Sequence, residues 1–390
     1  MINLDALYSD DLVQRYSDFC KQYVRSNLNE VFETLEGELR DNLESYFCDV
    51  SLQRLLSSEV QSLELAFREI FDNVPIIAER FNPKYFFRDF NPNTQCAHLN
   101  LRTNDGKRNL NLIKEGVIEE INYFVGNNES ILLSEVLEEL EVATSASEIK
   151  KKLTRLDKII NGDIKADDSL KRKFPDWLEG FSSSFNYDYI IGHFGLEIIR
   201  EINLHYCPYC AEEPIESFQN FRAAIDHYFP KSKFPFLALS LYNFVPAGER
   251  CNSRYKRNND MTGYFNPARD LLPNEALFDF EFPLGREFEY TEIEVIVNDI
   301  NEQLRANSSM FKLDGVYNKS EVKREFKNLY DRVNMLEALG RDDVLNDPQK
   351  TRILLNVDLT ISNKRVRFQK FLVDSLNFLA GSNLLINTES

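Results

Sequence analysis

The sequence predicts an α+β fold, mainly α: a helical N-terminal region, a small ββα unit near residue 225, and C-terminal helices. Three observations carry this expectation. Apolar residues recur at helical spacing through roughly the first 160 positions. Between about 190 and 290 that period gives way to short runs rich in Pro, Asn, Phe and Tyr. Helical spacing then returns after Asn318. The chain has 390 residues, 43% of them hydrophobic and 12% aromatic, which is enough to build folded cores and to exclude a disordered chain.

Taken in order, Val31, Phe32, Leu35, Leu39, Leu43 and Phe47 predict one amphipathic helix. Pro83, Pro92 and the surrounding Asn and Asp predict a loop from Phe81 to Lys107. Ser145-Ala146-Ser147-Glu148 reads as a capping box opening a helix through Ile149, Leu153, Leu156 and Ile160. From Glu287 to Val297 the chain alternates like a short strand pair. Asn318-Lys319-Ser320-Glu321 starts a helix through Val322, Phe326, Leu329, Val333 and Leu336. A last amphipathic helix is expected from Ser362 to Leu379, with Lys364, Arg365, Arg367 and Lys370 near its start, either as a solvated face or in contact with phosphate. The expected domains are residues 1–190, helical, for interaction or regulation; 191–290, the chemical unit; and 291–390, a strand pair and helices packing on that unit.

Six cysteines are scattered along the chain, too few for a secreted disulfide scaffold, so reduced thiols and a cytoplasmic setting are expected. No run of about 18 apolar residues predicts a membrane span, and the N-terminus does not read as a signal peptide. The net charge of −17 disfavours long-range attraction of nucleic acid. From Asn220 to Arg257, however, seven basic residues (Arg222, Lys231, Lys233, Arg250, Arg254, Lys256, Arg257) face two acidic ones, Asp226 and Glu249. This basic island in an acidic host could meet a phosphate backbone. The acidic excess suggests that a partner supplies much of the affinity or controls access.

The chemistry sits in Cys207-Pro-Tyr-Cys210, Ile225-Asp226-His227-Tyr228, Tyr242-Asn243-Phe244 and Cys251-Asn252-Ser253-Arg254-Tyr255-Lys256. Hydrolysing a phosphodiester needs a base for water, and an imidazole with a solution pKa of about 6.5 is the usual one. It also needs positive charge at the phosphate, which Mg²⁺ or Mn²⁺ on hard oxygen ligands supplies. Asp226 and His227 are neighbours on an expected strand, so a bulge would be needed to aim both at one site. Asn252 would lie on a helix packed on the hairpin, and Asn243 could hydrogen-bond across the loop and fix His227. His98 and His193 read as packed residues.

This segment resembles the HNH, or ββα-metal, endonucleases over about 60 residues, from Cys207 to Pro267. The resemblance implies His227 as general base, Asp226 and Asn252 as ligands of Mg²⁺ or Mn²⁺, Asn243 as the orienting residue, and Lys256 as the basic residue that follows the Cys-Asn pair. It is similar in particular to stand-alone bacterial HNH proteins, many of them in anti-phage defence, in which a pattern like Phe311-Lys-Leu-Asp-Gly-Val-Tyr317 often follows. That implies DNA as substrate, with RNA the open second choice, and a protein partner such as an ATPase or sensor subunit. Lys231, Lys233, Arg254, Lys256 and Arg257 are the expected nucleic-acid contacts.

Many members of that family bind structural zinc with two CxxC pairs. Here Gly248 stands where the second pair would begin, leaving Cys207, Cys210 and Cys251, with His205 a candidate fourth ligand; packing of the thiols without zinc is the other reading. Two further functions compete with the nuclease. One is a non-catalytic zinc-knuckle subunit binding nucleic acid or protein. The other, a thiol redox site at Cys207 and Cys210, lacks the βαβ pattern expected around it.

Overall fold

The computed structural model describes residues 2, 4, 8–87, 95–96, 98–125, 130–160, 172–215, 223–345, 347–359 and 364–381. Arg222 of the basic island, Pro92 of the expected loop and Ser362 of the last helix lie outside the described residues. Helices dominate, and the described strands form two small antiparallel pairs, so the class is α+β, mainly α. The chain divides into two compact units: residues 17–187 with 231–240, and residues 1–16, 188–230 and 241–390. No helix of the described residues is long and apolar enough to cross a membrane.

The first unit is helical. It holds most of α1 (Asp10–Phe32), then α2 (Gly37–Tyr46), α3 (Asp49–Ser57), α4 (Val60–Asn73), α5 (Pro75–Phe81), α6 (Asn104–Val125), α7 (Leu132–Val142), α8 (Ala146–Ile160) and α9 (Trp177–Ser183). The single helix expected through Val31 and Phe47 is two. The chain turns at Gly37, whose φ of +64° is a left-handed conformation that side chains resist. The capping box at Ser145 forms: the Ser145 hydroxyl accepts from the Glu148 amide at 3.3 Å, and the Ser145 amide donates back to Glu148 at 3.1 Å. The stretch expected as loop holds a short 3₁₀ turn, Pro83–Phe87, and α6 begins inside it at Asn104.

The helix start at α7 is capped from a distance. The buried Glu79 carboxylate accepts the amides of Ile131 (3.0 Å), Leu132 (2.8 Å) and Leu133 (2.8 Å), together with the Ser130 hydroxyl. One carboxylate thus satisfies several of the donors that a helix start leaves open, and its charge sits favourably at the positive end of the helix. Glu79→Ala is expected to cost this unit about 2 kcal/mol, because buried amides lose their acceptor. Urea denaturation followed by circular dichroism checks it, and an unchanged midpoint would contradict it.

The segment 231–240 was expected within the chemical unit, yet it packs in the helical one. Its sequence, Lys-Ser-Lys-Phe-Pro-Phe-Leu-Ala-Leu-Ser, is apolar after the second lysine. Phe234 sits 4.8 Å from Phe67 and stacks on Phe71 at 5.6 Å, while Phe236 meets Phe47 and Phe71 edge-on. Such ring pairs add about 0.5–1.5 kcal/mol each beyond the area they bury.

The second unit carries α10 (Tyr187–Ile202, from its second residue), the hairpin β1 (Ile225–His227) and β2 (Phe244–Pro246), and a seven-residue π-helix, Arg250–Lys256. It continues with β3 (Phe278–Glu281), β4 (Glu294–Val297), α11 (Glu302–Phe311), α12 (Leu313–Tyr317), α13 (Ser320–Ala338) and α14 (Gln369–Ala380). The helix predicted at Ser320 is present. The second strand pair, expected within 287–297, instead joins Phe278–Glu281 to Glu294–Val297. Phe278 and Phe280 alternate inward there, and Phe280 stacks on Phe326 at 4.1 Å, a partner 46 positions away that local alternation does not reveal. The last helix starts at Gln369 because Phe368 takes φ +58° while its amide bonds Ala211. Residues 291–390 fold in the same unit as the first hairpin. Two of the basic residues near the start of α14 are used internally, Arg367 pairing with Glu321 at 2.5 Å and Lys370 with Asp374 at 2.9 Å, while Arg365 is exposed.

Candidate active site

The first hairpin is in register, with Ile225 opposite Pro246, Asp226 opposite Val245 and His227 opposite Phe244. The three pairs are consecutive, so the expected bulge is absent and the Asp226 and His227 side chains leave β1 on opposite faces. His227 closes the strand. Its imidazole lies edge-on to its cross-strand partner Phe244, with ring centroids 5.3 Å apart, and the residue is 8% exposed.

Asn243 ties the loop shut. Its Oδ1 accepts the Phe229 amide at 2.7 Å, its Nδ2 donates to the Phe229 carbonyl at 3.0 Å, and its own carbonyl accepts the Tyr228 amide at 2.9 Å. The side chain is fully buried. A carboxamide that bonds the amide and the carbonyl of Phe229, with a main-chain carbonyl that holds Tyr228, fixes the two residues following His227, and so the direction in which the strand ends. This is the cross-loop bonding expected of Asn243.

Asp226 is buried between two partners. Tyr209 donates its hydroxyl to Oδ2 at 2.7 Å, and Lys256 places Nζ 2.9 Å from Oδ1. The same Nζ donates to the His227 carbonyl at 2.6 Å. Burial pushes the Asp226 carboxyl above the usual carboxylate range, opposed by Lys256 and Tyr209. Lys256 is 0% exposed, so it is a buried counter-charge and not the surface phosphate contact expected of it. Its four-carbon stem crosses from the π-helix to the hairpin.

Asn252 lies four residues before Lys256 on that helix, which puts both on one face. It is half-buried, and its carboxamide makes no hydrogen bond among the described residues, leaving the oxygen free for a ligand. Asp226 and Asn252 are hard oxygen donors and suit Mg²⁺ or Mn²⁺. With Lys256, Tyr209 and the His227 amide as donors, the Asp226 carboxylate keeps about one of its roughly four lone-pair positions. The ammonium at Asp226 already marks the place where positive charge is wanted.

Of the remaining expected contacts, Lys233 is only 8% exposed and is therefore no surface cation. Lys231 is exposed and sits 4.6 Å from the Tyr187 ring centroid within the helical unit. Arg254 and Arg257 are exposed. Arg257 has a positive φ of 52° and donates Nε to the Arg254 carbonyl at 3.1 Å, which ends the helix. Arg254 lines a cleft of about 400 Å³ with Tyr255, Tyr264, Ala306, Ser309, Met310 and Lys312. Lys312 is exposed and holds φ +55° at the junction of α11 and α12. It lies within the Phe311–Tyr317 pattern, but was not expected as a contact. The cleft combines two cations and two phenol rings with no carboxylate.

The three sulfurs of Cys207, Cys210 and Cys251 lie within 4.8 Å of one another, and all three residues are fully buried. Hydrogen bonds from the Cys207 and Cys251 thiols, aided by the Glu213 and Glu212 amides, hold the Cys210 thiol well below its ordinary value, while burial and the neighbouring sulfurs push Cys207 and Cys251 up. His205 is exposed and outside this cluster. Tyr209, inside the CxxC, stacks on Phe311 at 4.4 Å and so links the knuckle to Asp226. Its place between two cysteines was the only signal available in the sequence. Glu212 joins Arg250, Lys319 and Arg367 in ion pairs, and Tyr317 donates to the Cys210 carbonyl at 2.9 Å.

No family model, curated protein or solved structure matches this chain.

Proposed function

We propose that the chain is a metal-dependent endonuclease of the HNH type that hydrolyses phosphodiester bonds in DNA. The observation that carries this reading is the pairing of hairpin and helix through Asp226: a strand ending in His227, its loop locked by Asn243, and a helix whose Lys256 reaches Asp226 while presenting a free Asn252 on the same face. Packing alone does not account for this set, since a buried ion pair is weak support for stability and a free carboxamide none.

In this reading Asp226 and Asn252 would hold Mg²⁺ or Mn²⁺, which would offset the charge that develops on the phosphate. His227, the last residue of β1, takes the proton from the attacking water, which requires its side chain to turn from Phe244 toward the ion. Asn243 sets the direction of the imidazole by fixing Tyr228 and Phe229. Lys256 opposes the upward push that burial gives the Asp226 carboxyl. Arg254 and Lys312 hold the phosphate backbone, and Tyr255 and Tyr264 offer ring faces to the sugars or bases of the strand. An effector role in bacterial defence, with a partner subunit bringing this acidic chain to DNA, follows from the family resemblance.

The test is nicking of supercoiled plasmid by the purified chain with Mg²⁺ or Mn²⁺, stopped by chelation. Complete absence of nicking with either metal, on DNA and on RNA, would favour the non-catalytic knuckle. Arg254→Ala and Lys312→Ala are each expected to weaken DNA binding and to lower the salt dependence of the association constant by about one unit of slope. Fluorescence anisotropy at several salt concentrations measures this, and unchanged slopes would remove the cleft from the substrate path.

A further inference from the structure

We propose that Glu213 is the fourth ligand of a buried zinc site made with Cys207, Cys210 and Cys251, its carboxylate standing in for the thiolate that Gly248 lacks. The inference does not depend on the nuclease reading.

Zinc in a structural site takes four ligands in a tetrahedron, and three sulfurs are already gathered. The fourth direction is identified by position 248. A Cβ placed on Gly248 would lie 2.2 Å from both Cδ and Oε2 of Glu213, and 2.7 Å from its Cγ. The Glu213 carboxylate therefore fills the volume that a side chain at 248 would claim. A larger residue at 248 would have to push the Glu213 side chain aside, and the glycine leaves that space to the carboxylate.

The backbone supports the same assignment. At Cys210, the amides two and three residues further on, those of Glu212 and Glu213, donate to the sulfur. At position 248 the amide two residues on is that of Arg250, and it donates to the Glu213 carboxylate, at 3.2 Å to Oε1 and 3.3 Å to Oε2. The second knuckle thus treats the carboxylate as the first treats a sulfur. The Gly248 amide itself donates to Cys207. Glu213 is also held in place by its carbonyl, which accepts the Cys207 amide at 2.8 Å.

Positive charge stands beside the cluster. Three thiolates and a carboxylate exceed the charge of Zn²⁺ by two. The Arg250 guanidinium lies 3.7 Å from the Cys210 sulfur and pairs with Glu212. His205, the other candidate, is exposed. Among the described residues the donor atoms within 4.8 Å of one another are the three sulfurs, so the proposal requires the Glu213 carboxylate to close on them when the ion binds.

The experiment uses the full chain and reads metal, not activity. Elemental analysis of the purified protein is expected to give one zinc per chain, and X-ray absorption three sulfurs at about 2.3 Å and one oxygen at about 2.0–2.2 Å. Glu213→Ala is expected to weaken zinc binding by at least about 10-fold in competition with a chromophoric chelator. The pair Glu213→Ala with Gly248→Cys, in which the collision is removed and a thiol supplied, is expected to restore affinity and to shift the Co²⁺ absorption to that of four sulfurs. Wild-type protein that takes up neither Zn²⁺ nor Co²⁺ would overturn the proposal. So would a Glu213→Ala variant with unchanged affinity and an unchanged Co²⁺ spectrum.

Discussion

His227→Ala is expected to lower the rate of plasmid nicking by roughly 10²–10⁴-fold, the usual contribution of a positioned general base. The imidazole sits at the end of β1, against Phe244, in a loop that Asn243 holds rigid. Removing it leaves the hairpin ladder and the Asp226–Lys256 contact in place, so the fold should survive with a modest loss of stability. Two readouts separate a base from a packing residue. Metal affinity should change little, and added imidazole should restore part of the rate. Equal nicking by wild type and variant would remove His227 from the chemistry.

Lys256→Met is expected to be the most damaging single change to stability in the second unit, at about 3–5 kcal/mol. The reason is not the lost attraction but what remains. Asp226 would be left 3% exposed with the Tyr209 hydroxyl and the His227 amide, a buried charge whose counter-charge has gone. Burial already pushes its carboxyl upward, so the variant would fold with a protonated Asp226 or fail to fold. Combining Lys256→Met with Asp226→Asn removes both charges and should return much of the loss, a coupling that a double-mutant cycle measures by chemical denaturation. Additive losses from the two substitutions would mean that the contact carries no energy of its own.

Much of this was legible in the sequence, and the limits have a common cause. The fold class, the capping box at Ser145 and the helix at Ser320 rest on short-range patterns, which local spacing records. The pairing of residues 225–227 with 244–246 followed from the Asp-His and Asn elements, whose separation suits a hairpin. What was missed depends on partners far away in the chain. Phe234 and Phe236 look like part of the hairpin loop until Phe67 and Phe71 are seen beneath them. Lys256 reads as a surface cation until Asp226 is found 2.9 Å away. The break at Gly37 was readable in principle, but the apolar spacing continued across it. Gly248 looked like a missing ligand, and Glu213, 35 positions earlier, had no pattern to connect it.

The account's central claim is that Asp226 and Asn252 converge on one cation at the hairpin. Anomalous diffraction from crystals of the full chain soaked in Mn²⁺ tests it most directly. One strong peak is expected within coordination distance of an Asp226 carboxylate oxygen and the Asn252 carboxamide oxygen, with Lys256 Nζ drawn away from Oδ1. Full Mn²⁺ occupancy elsewhere, with the Lys256–Asp226 contact unchanged and no density between Asp226 and Asn252, would contradict it.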